Sequence, residues 1–153
     1  MPAAASAYDV SVAIHVAAAV VGFGPTFAYP FIQLAAERGD PDRLPFALGV
    51  VLAISSRLAV PGALVVGATG VYQVADGPHD LGEAWLAVGA VLYAAVFVAA
   101  VAFLAPALRR ARAAAERGDR AGYRRAIAGA KAVGAGVAAA VLAIVFLMEL
   151  KPG

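Results

Sequence analysis

Residues 14–30 read IHVAAAVVGFGPTFAYP, a stretch apolar enough to lie inside a lipid bilayer that nevertheless holds a histidine, two glycines and two prolines. Followed outward, the uncharged run extends from Val10 to Leu34. A helix needs about 20 such residues to cross the hydrocarbon core of a bilayer. Three more runs follow, at about Phe46 to Val74, Ala84 to Leu108 and Ala126 to Leu147. The expected fold is therefore all-α: one polytopic membrane domain over residues 1–153, a bundle of four transmembrane helices arranged as two helical hairpins.

Composition points the same way. Of 153 residues 63% are apolar and 14% charged, against about 45–50% and about 25% in soluble domains. The opening residues MPAAASAYD carry no basic residue ahead of the first run, so that run is expected to persist rather than act as a cleaved signal. Cysteine is absent, which excludes disulfides, thiolate metal sites and iron–sulfur clusters.

Orientation follows from the basic residues. Arg38 and Arg43 lie between spans one and two, and eight of the twelve Lys and Arg residues, from Arg109 to Lys131, surround the connection between spans three and four. The positive-inside rule makes both connections cytoplasmic and puts both termini outside, together with the acidic loop of Asp76, Asp80 and Glu83. The expected location is the bacterial inner membrane. Tyr8, Tyr72 and Trp85 then fall at the outer interface, where amphipathic rings settle. The segment RRARAAAERGDRAGYRR lacks a nucleic-acid-binding motif and has one tyrosine, so attraction to anionic headgroups explains it and no nucleic-acid partner is expected.

The two cytoplasmic connections resemble each other. FAYPFIQLAAERGD (27–40) and FLAPALRRARAAAERGD (103–119) both contain Phe-x-x-Pro and both end Ala-Glu-Arg-Gly-Asp. Each predicts a helix closed by a left-handed glycine and a following helix capped by aspartate, with Pro41 suited to a helix start. Internal duplication and convergence on the same caps are equally open. Ala132, Gly136 and Ala140 recur every four residues in span four, a pattern that allows close backbone approach in lipid, although alanine is abundant throughout.

Ionisable and polar groups within spans are expensive and face the interior or a wet cavity. From His15, helical steps of seven, eleven and fourteen lead to Gly22, Thr26 and Tyr29, so one face of span one carries its polar groups and is expected to point inward. Pro25 and Pro30 free carbonyls along that helix. Arg57 lies near the middle of span two, where an uncompensated arginine costs at least about 2.5 kcal/mol, so it either finds a partner or water, or snorkels to the cytoplasmic headgroups. Pro61 and Gly62 loosen the helix beside it. Tyr93 of span three shares a face with Gly89 and Phe97; its phenol either meets Arg57 or His15 or is satisfied by a backbone carbonyl. His79 beside Asp76 and Asp80 has a spacing able to hold a divalent cation weakly, and a solvated loop is the favoured reading; Glu149 reads as a solvated terminus.

A neutral imidazole ligates haem iron or copper, or relays a proton. With one histidine inside the spans, no cysteine and Met148 near the outer surface, a multi-ligand metal cage is disfavoured, whereas haem needs one axial histidine and a cation for a propionate. His15, Arg57 and Tyr93 are the expected cofactor-binding residues and His15 the metal ligand, with haem as the cofactor, although His15 and Arg57 differ in depth by about 12 Å on straight helices. No nucleophilic triad, phosphate loop or intramembrane carboxylate pair is present, so whether the protein is an enzyme stays open.

IHVAAAVVGFGPTFAYP, followed by a short charged turn and then SSRLAVPGALVVGATG, resembles an uncharacterised bacterial family of four-helix integral membrane proteins. The likeness covers nearly the whole chain and implies the fold without an activity. A histidine early in span one is more distantly similar to the HemJ type of protoporphyrinogen oxidase and to CopD-type copper-resistance domains. The HemJ likeness implies a haem at His15. The expectation is a small membrane protein that holds haem or a similar ligand near His15 for redox or porphyrin handling. The alternatives are an oligomeric transport or permeation unit, and a scaffold or accessory subunit with a membrane partner or a second copy.

Overall fold

The computed structural model describes residues 5–79 and 81–152. It contains four helices long and apolar enough to cross a membrane: α1 (Ala7–Arg38), α2 (Leu44–Asp76), α3 (Ala84–Glu116) and α4 (Arg120–Leu150). At 1.5 Å per residue, the 33 residues of α3 extend about 50 Å, longer than the hydrocarbon core, so its arginine-rich end projects beyond the apolar layer.

Local chemistry sets the helix ends. Ser6 Oγ accepts from the Asp9 N–H at 3.1 Å while the Asp9 carboxylate accepts from the Ser6 N–H at 3.0 Å, a reciprocal cap that satisfies two of the donors every helix start leaves open. Asp119 caps α4 as expected, accepting from the Gly122 N–H at 2.8 Å, and Gly118 takes the left-handed conformation at φ 68°. The first connection departs from this pattern. Gly39 has φ −91° and ψ −135°, outside the left-handed region, and Asp40 caps a 3-10 turn over Pro41–Arg43 rather than the start of α2. The three-residue turn does the work of reversal that a left-handed glycine does in the second connection.

Two helices contain a π turn, Ser55–Ala59 in α2 and Ala99–Leu104 in α3, and each stands just before a proline, Pro61 and Pro106. A proline ring collides with the carbonyl four residues back and lacks the N–H that would bond it. Widening the turn by one residue accommodates this: the Val60 N–H bonds to Ser55 O, and the Ala105 N–H to Ala100 O. α1 passes through Pro25 and Pro30 without a π turn, so the two halves differ in detail where their sequences match.

α1 packs on α2 and α3 on α4 as antiparallel hairpins. The hairpins join chiefly at the end that carries the basic connections. There Leu48 and Val51 of α2, Leu108 and Ala111 of α3, and Ile127 of α4 form the larger core, with Tyr29 and Ile32 of α1 against it. A smaller core of Val96, Val137 and Val141 meets Phe23 of α1. Elsewhere large apolar side chains face outward: Phe31 is 73% exposed, Phe46 75% and Val71 72%. Such a continuous apolar surface is stable against lipid and not against water.

Candidate functional site

α1 and α2 cross at Gly22 and Gly62. A Cβ at Gly62 would lie 2.7 Å from Gly22 Cα, so only glycine allows the backbones this close. That approach brings the polar face of α1 onto α2, as the spacing of His15, Gly22, Thr26 and Tyr29 predicts. His15 Nδ1 lies 2.9 Å from Thr69 Oγ1, and one turn nearer the chain start Gln73 Nε2 donates to Ser11 Oγ at 3.2 Å. The imidazole also lies beside Gly70, where a Cβ would be in ordinary contact with Cε1 at 3.5 Å.

The tautomer of His15 follows from its partner. Thr69 has one hydroxyl proton, and the hydroxyl lies 2.7 Å from Val65 O, its best acceptor. With that proton spent, Thr69 Oγ1 accepts and His15 Nδ1 carries the N–H. The Val66 carbonyl also lies beside the ring, and a neutral ring with its N–H on Nδ1 keeps its lone pair on Nε2. A fixed Nδ1–H with an open Nε2 is how metal-bound imidazoles are held.

Tyr93 is placed elsewhere. Its hydroxyl donates to Ala63 O at 2.7 Å, closely faced by Gly67, and its ring stacks on Phe97 at 6.5 Å. Arg57, Ala63 and Thr69 stand six residues apart along α2, or about 9 Å per step. The helix thus carries Arg57, the Tyr93 contact and the His15 contact at three separate levels. The structure brings His15 and Tyr93 each onto α2, but not onto one another, and leaves Arg57 about 18 Å from the His15 level.

Arg57 lies in the π turn and lines a cavity of about 510 Å³ between α2 and α3, together with Arg109, Arg112 and Glu116. A second, largely apolar crevice of about 420 Å³ separates α1 from α4, with Thr26, Tyr29, Gln33 and Lys131 as its polar groups. The Tyr29 hydroxyl is buried there without a partner among the described residues. At the crevice's basic end Glu37 accepts from Gln33 Nε2 and from the Tyr123 hydroxyl, both at 2.7 Å, and from Lys131 Nζ at 3.2 Å, tying α1 to α4. Nothing in the alternation of apolar and charged residues marked this network, since its members come from two helices far apart in sequence.

At the opposite end His79 Nδ1 lies 2.8 Å from Glu83 Oε1, the Trp85 indole donates to Glu83 Oε2 at 2.9 Å, and Lys151 Nζ sits 5.7 Å from the Trp85 ring centre. His79 is thus engaged with Glu83, four residues on. Asp80, the other carboxylate considered for a cation there, lies outside the described residues. Tyr72 donates to Asp76 at 2.8 Å, and Glu149 is exposed. In α4 the small residues Ala132 and Gly136 face out of the bundle, and a Cβ at Gly136 would meet nothing within 4 Å, while Ala140, the third member of the stripe, packs against the smaller core. The close crossing is made instead by Gly22 and Gly62.

These features place the chain in a family. It belongs to the family described as "Predicted integral membrane protein (DUF2269)", whose model matches residues 10–152 and so all four helices. Comparison with curated proteins and with solved structures finds no match.

Proposed function

We propose that this multi-pass membrane protein lies in the bacterial inner membrane with its basic connections in the cytoplasm, and holds a ligand on His15 Nε2, haem first among the candidates. The observation that carries this reading is the Thr69 hydroxyl, which fixes Nδ1–H and directs the free lone pair of His15 to Nε2. The fit to haem is confined to His15 as the residue that would hold it. Arg57 lies in a different cavity, and the Tyr93 hydroxyl is committed to Ala63 O, so neither supports a macrocycle bound at His15. When bound, the iron would supply one-electron chemistry. The chain itself orients the imidazole through Thr69 and leaves one nitrogen open. Each chain has a single histidine within its spans, so any further residues needed to hold the group would come from a second copy or a membrane partner.

Purification in detergent from cells supplied with a haem precursor tests the reading. A Soret band is expected that disappears in His15→Ala and weakens in Thr69→Val, which removes the acceptor for Nδ1–H at nearly constant volume. No band, or a band indifferent to His15→Ala, overturns it. The π turns ahead of Pro61 and Pro106 favour a second reading, a permeation unit, because irregular helices line polar paths in transporters. Ion flux in proteoliposomes that is lost in Arg57→Leu supports that reading; tight vesicles count against it.

A further inference from the structure

The cavity between α2 and α3 has a charge arrangement that needs explaining. Its walls are two helix faces: Gly49, Ala53 and Ser56 leading to Arg57 on α2, and Arg109, Arg112, Ala113 and Glu116 on α3. Both sets follow helical spacing, so each is one continuous stripe. The small residues open the space and the arginines fill its rim. Gly49 has a specific part, because a Cβ there would lie 3.2 Å from Arg112 Nη1 and 3.4 Å from Cζ; without it the guanidinium lies against the α2 backbone. Arg112 Nε is held by Glu116 Oε1 at 2.9 Å, which leaves the rest of its fork free to donate.

Three guanidinium groups therefore share one cavity with one carboxylate, and that carboxylate is engaged. Among the described residues neither Arg57 nor Arg109 has a hydrogen-bond or ion-pair partner. All three arginines are exposed, so their like charges repel one another and their donors are open to an acceptor from outside the chain. The depth is informative too. The uncharged run of α3 ends at Leu108, so Arg109 and Arg112 begin where hydrocarbon gives way to headgroups, while Arg57 approaches the same cavity from the apolar side. An anion at this level would be met from below and above.

We propose that this cleft is a binding site for a phosphate group, and that its occupant is the headgroup of an anionic phospholipid. Arginine forks match phosphate oxygens in pairs, which a diffuse basic surface does not do. The volume, about 510 Å³, lies within the range of small-ligand sites. The site is independent of the one at His15, because it lies at the other end of α2 and uses none of the same side chains.

The test uses the full chain in mixed micelles of phosphatidylcholine and phosphatidylglycerol in equal amounts, with the co-purifying lipids measured by native mass spectrometry. Wild type is expected to enrich phosphatidylglycerol. Arg57→Gln with Arg109→Gln is expected to lose that enrichment by about tenfold or more, since one charged hydrogen bond is worth about a factor of ten. Arg38→Gln with Arg43→Gln, an equal charge change outside the cleft, should keep it. Gly49→Leu fills the space at constant charge and should lose it, which guards against misfolding of the double arginine variant. A parallel arm titrates inorganic phosphate into the protein in phosphatidylcholine alone. Saturable thermal stabilisation there, without phosphatidylglycerol enrichment, assigns the same cleft to a soluble phosphate. Neither enrichment nor stabilisation in wild type, or equal losses in the cleft and control pairs, overturns the proposal.

Discussion

The crossing of α1 and α2 is the place where one atom should matter most. A Cβ added at Gly62 would stand 2.7 Å from Gly22 Cα, 3.1 Å from Gly22 N and 3.2 Å from Ala18 O, all backbone atoms that cannot rotate away. Ordinary contact begins near 3.4 Å, so Gly62→Ala forces the helices apart by about 0.7 Å or tilts them. Overpacking of this kind costs about 1–3 kcal/mol, and three backbone contacts put this site in the upper half of that range. Alanine also returns up to about 1 kcal/mol in helix propensity, which partly hides the clash. Gly24→Ala removes that ambiguity, because a Cβ there meets nothing within 4 Å and receives the propensity gain alone. The difference between the two variants therefore isolates the clash, at about 2–3 kcal/mol. Unfolding with sodium dodecyl sulfate in mixed micelles, followed by the fluorescence of Trp85, measures it; Trp85 is the single tryptophan and is buried. Gly22→Ala, with its nearest contact at 3.1 Å, should fall between them. If Gly62→Ala proves as stable as Gly24→Ala, α1 and α2 do not cross at these glycines, and the placement of His15 against Thr69 loses its support.

Tyr93→Phe should lower stability by about 0.5–1.5 kcal/mol in the same assay, and Gly67→Ala should cost less in that background than in wild type, because a Cβ at Gly67 would lie 2.6 Å from the Tyr93 hydroxyl. Glu37→Gln should cost about 1 kcal/mol, and its sum with Lys131→Met should exceed the cost of the double variant, since both changes break the same link between α1 and α4. Fusions at the C-terminus test orientation: alkaline phosphatase attached there should be active and green fluorescent protein dark, and the opposite result would place the basic connections outside.

The spans were legible because hydrophobicity in a bilayer is a one-dimensional signal: a run such as Val10 to Leu34 needs no knowledge of its neighbours to be read as a helix. The inward face of α1 was legible for the same reason, since the step from His15 to Gly22 is a property of one helix. The proline signals were half legible. Pro25, Pro30 and Pro61 announce a disturbance, yet π turns form only ahead of Pro61 and of Pro106, whose effect was not foreseen, so the answer depends on what surrounds each helix. Small residues were a partial guide: of the stripe Ala132, Gly136 and Ala140 only Ala140 packs against the core, while the close crossing uses one glycine from each of two helices, Gly22 and Gly62, which no repeat connects.

Arg57 shows the limit most clearly. Its own helix poses two outcomes, an interior partner or a reach toward headgroups, and the structure adds a third element: the side chain lines a cavity between helices together with Arg109 and Arg112. A single-helix view treats these as alternatives because it has no second helix to build a cleft from. Once α3 is placed, Arg57 is exposed on a cleft it shares with Arg109 and Arg112, without an ion-pair partner among the described residues, and its missing counter-charge becomes a property of the cleft. That is a physical reason to look for the occupant outside the chain, in the lipid that surrounds it.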